Sequence, residues 1–304
     1  MYDKTMHIAC NINSKYTRFC GVLMVSLFEN NREEHMKMHI LGYHLSESDK
    51  NDLIDIANQY GNEIKFYDVD ESVFKGFPIS TQWPIVIYFR LMLPELISEE
   101  TNRVLYLDCD IICRGELKEL YYEDMTDCIL AAKEDVLSSF PGLFNRLGYS
   151  PKYKYFNSGV ILFNLEEWRK YDMTRKCIEY IQYHHVTHPD QDALNVVAHT
   201  NWKNIDTRWN FLSNFHTRYI DEEEFKSDLK CDKEYYPVLV HFTGAKPWTS
   251  KCDSYFKYDW LKYQSKTKWS NFIPKHSIPE MLKYSLSLLL DFINIKKRNI
   301  YKTF

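Results

Sequence analysis

The chain has 304 residues, 45% of them apolar, which is enough to bury a full core in one large domain. A net charge of -4 and a pI near 6.3 exclude a general basic field for nucleic acid. Aromatics reach 16%, with 23 Tyr and 7 Trp, which fits a core plus surfaces that stack on sugar or base rings.

Apolar runs of strand length alternate with segments of helical period, so the chain reads as a layered α/β fold. His7 to Ile12 reads as the first strand, Tyr16 to Phe28 as the first helix and Met36 to Leu41 as the second strand. Ser46 caps the next helix with Asp49 at its third position, and Gly61 stands where that helix stops. Ile64 to Val69 makes a third strand. Pro84 to Leu93 reads as a short helix facing the core and closed by Pro94. Then comes the strand that carries Asp108. Further on, strands are expected at Ile129 to Lys133, Phe156 to Asn164 and Val238 to Phe242. Helices are expected from Leu165 to His184 and, after a break at Pro189, around Asp190-Gln191-Asp192. The first strand lacks a following Gly-x-Gly-x-x-Gly, so a dinucleotide-binding Rossmann reading loses its phosphate cradle.

The eight cysteines include no Cys-x-x-Cys pair, which argues against a structural zinc site and for buried thiols in a reducing cytoplasm. The N-terminus lacks the charged and apolar regions of a signal peptide, and no apolar run reaches the roughly 18 residues of a membrane span. Residues 1–265 read as one catalytic domain and 266–304 as a helical, basic tail. In that tail Ser277-Ile278-Pro279-Glu280 makes a capping box. Glu280, Lys283, Ser287, Asp291, Asn294 and Arg298 then form one polar stripe. Met281, Leu282, Leu286, Leu288, Leu289, Leu290, Phe292, Ile293 and Ile295 cover the other faces, too much apolar surface for a free soluble helix. With Lys296, Lys297, Arg298 and Lys302 behind it, such a helix suits the anionic inner face of a membrane. The competing expectation is that it packs on its own domain or on a second copy in a homo-oligomer.

Leu107-Asp108-Cys109-Asp110 ends an apolar strand with two acids at i and i+2, which strand alternation places on one face. A divalent cation bridging them to a diphosphate removes their mutual repulsion. The plain alternative is a strand-end turn. Three more segments accompany it in order: Tyr155-Phe156-Asn157-Ser158-Gly159-Val160, Pro189 to Asn195, and His241-Phe242-Thr243-Gly244-Ala245-Lys246-Pro247-Trp248.

Over residues 7 to 250 these four motifs together resemble glycosyltransferase family 8, and within it the bacterial lipopolysaccharide and lipooligosaccharide galactosyl- and glucosyltransferases. The resemblance implies a GT-A fold, a Rossmann-like mixed sheet flanked by helices, that moves galactose or glucose from a UDP-sugar to a glycan or glycolipid hydroxyl with retention. It implies Asp108, Asp110 and His241 as ligands of Mn²⁺ or Mg²⁺, with the mixed oxygen and nitrogen set favouring Mn²⁺. Lys246 would lie on the diphosphate, Gly244 would let the backbone approach it, and Cys109 lies between the two acids. The Gly-Ala-Lys spacing is one residue shorter than in the relatives. Around the nucleotide the resemblance implies Asn11, Asn13, Lys15, Tyr16 and Arg90, with Asn13 standing where the family usually has Asp and Tyr16 stacking on uracil. Asp135, Asn157, Asp190 and Gln191 would surround the donor sugar. Gln191 is a poor nucleophile, so same-face displacement is favoured, with Asp190 as the fallback nucleophile. The plain alternative for Asn157 and Gly159 is turn chemistry at a strand start, and for Asp190 an N-cap after Pro189, and both roles can coexist. Cytoplasmic residence at the inner membrane face goes with this reading. The alternatives are a sugar-nucleotide pyrophosphorylase, whose Gly-rich signature is missing, a haloacid-dehalogenase-type phosphatase, whose Asp-x-Asp lies near the chain start, and a non-catalytic sugar-nucleotide-binding module.

Overall fold

A computed structural model describes residues 5–97, 99–140, 142–213, 237–252, 254, 256–272, 282, 286 and 289. Strand β1 (Met6–Asn13) leads into helix α1 (Thr17–Asn30), followed by β2 (Met36–Tyr43), α2 (Glu47–Gln59) and β3 (Glu63–Asp68). The expected capping box opens α2. The Ser46 hydroxyl accepts from the Asp49 N–H at 3.1 Å, and the Asp49 carboxylate accepts from the Ser46 N–H at 3.0 Å.

The apolar run after Pro84 differs from expectation. It is a 3-10 helix, Ile85–Met92, and Pro94 does not close it but sits in the first turn of a short helix α3 (Leu93–Leu96). Proline is tolerated there because a first-turn N–H has no intrahelical partner.

Strand β4 (Arg103–Leu107) precedes β5 (Ile111–Cys113), α4 (Lys118–Tyr121), β6 (Leu130–Glu134), α5 (Leu143–Leu147) and β7 (Phe156–Asn164). The single helix expected to reach His184 is two, α6 (Leu165–Lys170) and α7 (Met173–Tyr183). They are divided at Asp172, whose φ of 52° is left-handed. Asp tolerates that conformation better than most residues. Pro189 opens α8 (Pro189–Ala198), and β8 (Trp202–Asn204), β9 (Phe211–Leu212), β10 (Leu239–His241) and α9 (Lys257–Gln264) complete the described elements.

Seven strands form one mixed sheet in the order β3-β2-β1-β4-β7-β6-β8, and β5-β10-β9 form a small second sheet. β1, β2, β3 and β4 run parallel, whereas β7 is antiparallel to both β4 and β6. Alternate residues of β1 enter opposite cores. Ile8, Cys10 and Ile12 pack with α1 on one face, and Ala9 packs with Tyr88, Phe89 and Trp168 on the other. With both faces covered, β1 reads as a near-continuous apolar run.

The chain after α9 stays on this domain as far as Phe272. The Gln264 amide donates to the carbonyls of Trp269 and Phe272, and the Arg18 guanidinium lies 3.9 Å from the Phe272 ring centroid. Most of the expected C-terminal helix, with its capping box and basic end, lies outside the described residues. Leu282, Leu286 and Leu289 are described. All three are helical, and their exposures are 65%, 53% and 54%. Among the described residues no helix is long and apolar enough to cross a membrane.

Candidate active site

β4 stops at Leu107, so Asp108 and Asp110 are oriented not by strand alternation, as the spacing suggested, but by the turn joining the two sheets. Two backbone bonds pin that turn: the Asp108 N–H donates to the Gly159 carbonyl at 2.9 Å, and the Phe242 N–H donates to the Asp110 carbonyl at 2.9 Å. The strand-end turn and the paired acids are therefore the same feature. Cys109 faces the other way, into the core under α1.

His241, at the end of β10, completes the cluster. Its Nε2 lies 3.2 Å from Asp110 Oδ1 and 3.9 Å from Asp108 Oδ2. A chain of hydrogen bonds fixes its tautomer. The Gly159 N–H donates to Asn157 Oδ1, so the Asn157 amide nitrogen points to Asp135 Oδ2 at 2.8 Å. Asn210 Nδ2 donates to the same Asn157 oxygen at 2.9 Å, which leaves Asn210 Oδ1 to accept from His241 Nδ1–H at 3.1 Å. Nε2 is left presenting a lone pair to two carboxylates. Three electron-rich atoms converging this closely call for a cation among them. The set of two carboxylates and one imidazole fits Mn²⁺ and its neighbours.

Lys246 reaches this cluster despite its short spacing from Gly244. Gly244 adopts a φ of +79°, which turns the loop back, and Lys246 Nζ forms an ion pair with Asp110 while donating to the Phe242 carbonyl at 3.0 Å. Burial alone would raise the Asp110 carboxyl, but the positive charge facing it, Lys246 first of all, outweighs that and holds the group well below the usual carboxylate range. For Lys246 burial works against the charge, and Asp110 more than restores it.

Arg90 is 4% exposed and joins the two halves of the site. Its guanidinium donates to Asp108 Oδ1 at 2.9 Å and to the Ser158 carbonyl at 2.7 Å, lies 3.3 Å from Asp190 Oδ2, and stacks 4.4 Å above the Tyr106 ring. Asp190 also accepts from the Ser158 hydroxyl at 3.2 Å. Burial pushes its carboxyl above the ordinary range, and Arg90 only partly offsets that. Gln191 is fully engaged, accepting from the Ser158 N–H at 2.9 Å and donating to Asp135 at 3.3 Å.

One cavity of about 440 Å³ collects these groups, with Asn11, Asn13, Tyr16, Cys109, Asp135, Asn157 and Gly244 also on its wall. Lys15 does not line it; it is exposed in the turn before α1, where its N–H donates to Asn13 Oδ1 at 3.1 Å. Asn11 serves structure as well, donating to the Val86 carbonyl at 2.6 Å and accepting from the Tyr106 hydroxyl. Gln82, Trp83 and His188 also line the cavity, with the Trp83 and His188 rings 5.7 Å apart. Sequence reasoning missed His188, Tyr106 and Asn210. Asn210 follows a 3-10 turn in a stretch with no periodicity, so nothing in its surroundings marked it.

The family model described as Glycosyl transferase family 8 matches residues 7–252. General stress protein A of Bacillus subtilis is 31% identical over 88% of this chain and 96% of its own length. A lipopolysaccharide 1,2-glucosyltransferase of Escherichia coli is 30% identical over 88% of this chain and 78% of its own. Among solved structures, the galactosyltransferase LgtC in complex with donor and acceptor sugar analogs matches with a TM-score of 0.77 at 25% identity, covering 89% of this chain and 98% of that one. A mixed sheet that gathers two acids, a histidine and a lysine beside one strand end is the architecture of a GT-A glycosyltransferase. This chain belongs to glycosyltransferase family 8, as its four motifs indicated.

Proposed function

We propose that the enzyme transfers galactose or glucose from a UDP-sugar to a hydroxyl of a glycan or glycolipid, with retention at the anomeric carbon and with Mn²⁺ or Mg²⁺ as its ion. The observation that carries this reading is the meeting of Asp108, Asp110 and His241 with Lys246 in a cavity that Asp190 and Gln191 also line, Asp190 sharing the Arg90 guanidinium with Asp108. Asp108, Asp110 and His241 would hold the ion. Such an ion neutralises charge on the diphosphate. Lys246 adds a point charge to the leaving oxygen as the bond to the sugar breaks. Tyr16, half-exposed at the cavity mouth, offers a face to uracil, and Asn13 an uncharged acceptor for its N3–H. Asp135 and Asn157 would bind sugar hydroxyls.

Retention requires either a covalent intermediate or attack on the face the leaving group vacates. Asp190 is tied to Arg90 and Ser158, and the Gln191 amide is a weak nucleophile with both ends occupied. These restraints favour same-face displacement. The acceptor oxygen bonds to the anomeric carbon as the bond to the β-phosphate breaks, and the acceptor proton passes to the departing diphosphate. The exposed Leu282, Leu286 and Leu289 support attachment of the C-terminal helix, as a unit apart from the catalytic domain, to a membrane carrying a lipid-linked acceptor. Release of UDP from a panel of UDP-sugars tests the reading. Turnover of UDP-galactose or UDP-glucose that needs Mn²⁺ and fails in Asp108→Asn supports it, and pyrophosphate or phosphate as the product contradicts it.

A further inference from the structure

Behind the two acids lies a second cluster of different chemistry. Cys10 comes from β1, Cys20 from α1 and Cys109 from the turn between Asp108 and Asp110, and their sulfur atoms all lie within 4.8 Å of one another. Cys10 and Cys20 Sγ are 3.7 Å apart. Zinc–sulfur bonds of about 2.3 Å at tetrahedral angles place two sulfurs about 3.8 Å apart, so this pair already spans one edge of such a site. Cys10 and Cys20 are fully buried, and Cys109 is 5% exposed and lines the donor cavity. Nothing in the proposed transfer uses these thiols.

We propose that Cys10, Cys20 and Cys109 form a three-thiolate site for a soft divalent cation such as Zn²⁺ or Cd²⁺, entered from the donor cavity past Cys109. Soft sulfur and hard oxygen ligands then stand one residue apart in sequence and sort two kinds of ion by ligand softness. Binding forms three metal–sulfur bonds as the thiol protons leave to solvent, with no change of oxidation state. The three residues are far apart in sequence, so a search for Cys-x-x-Cys spacing does not find them.

The test titrates reduced, metal-stripped full-length protein with Cd²⁺ in excess Mn²⁺, following the ultraviolet thiolate-to-cadmium band and proton release. The site predicts saturation at one Cd²⁺ per chain with two to three protons released. The band persists in Asp110→Asn and in Cys177→Ser, and affinity falls about tenfold or more in Cys20→Ser and Cys10→Ser. A wild-type band in Cys20→Ser, displacement of Cd²⁺ by Mn²⁺, or binding without proton release overturns it. Proton release is read on the wild type, so the test stands even where a variant folds poorly. The proposed transferase reading stands or falls separately, on UDP release.

Discussion

Gly159 lies against His241 with no room for a Cβ, since an added methyl would sit 2.7 Å from the ring's Nδ1 and 2.9 Å from Asp108 Oδ2. Neither neighbour can retreat easily. His241 is 3% exposed and tied to Asn210, and Asp108 is held by Arg90 and Tyr106. Gly159→Ala is therefore expected to spread the proposed ligand cluster while costing about 1–3 kcal/mol of stability. Calorimetric Mn²⁺ binding alongside thermal unfolding checks this. A folded variant that binds Mn²⁺ as the wild type does refutes it.

Asn210 acts on the same ring from behind. With its Oδ1 gone, Nδ1–H of His241 loses its acceptor, and the imidazole is free to present the wrong tautomer to the acids. Asn210→Ala should weaken Mn²⁺ binding about 10- to 100-fold. Asn210→Asp keeps the acceptor for Nδ1–H but turns a buried carboxylate oxygen, in place of the Nδ2 donor, towards Asn157 Oδ1, so it is expected to recover only part of that loss.

Arg90 is the group on which the acids depend for charge balance. Removing it leaves Asp108 and Asp190 without their shared cation, and Asp190 is almost wholly buried. Breaking a buried pair of this kind costs about 3–5 kcal/mol. Arg90→Leu should lower the unfolding free energy by that order in urea titration. Arg90→Lys is expected to fall between, because one ammonium cannot make the guanidinium's three separate contacts.

What the sequence makes legible here follows from element length and contact range. β1 and β7 appear within one or two residues of expectation because buried strands print a continuous apolar run. β5, β8 and β9 have three residues or fewer and leave no period to read. The left-handed Asp172 that splits α6 from α7 follows a sequence with no Gly or Pro to announce it. In the candidate site, residues of all four motifs line one cavity. The supports do not show in sequence because they depend on contacts between remote segments: Asn210 on His241, Arg90 across Asp108 and Asp190, and Gly159 under the ring.

Away from the site, His39 gives the fold an acid-sensitive element. Burial, helped by the neighbouring His7, pushes its imidazole down to about 3. It is linked to His7 at 2.8 Å and to the Tyr67 hydroxyl at 2.8 Å. In the unfolded chain the same group titrates near 6.5. Between those values the unfolded state carries a proton that the folded state does not, so stability present above about 6.5 is lost as the pH falls towards about 3. The loss is up to about 1.4 kcal/mol per pH unit. Melting temperatures of wild type and His39→Gln from about pH 7 to pH 4 should show the steeper fall in the wild type. Parallel curves would remove His39 as a cause.

Whether Asp108, Asp110 and His241 form a metal site that holds the donor diphosphate is decided by UDP titration in a calorimeter with and without Mn²⁺. Mn²⁺ should tighten UDP binding to the wild type by tenfold or more, and Asp110→Asn, still folded by circular dichroism, should lose that gain. UDP binding of equal strength with Mn²⁺ and with excess chelator, or a full Mn²⁺ effect in Asp110→Asn, would contradict it.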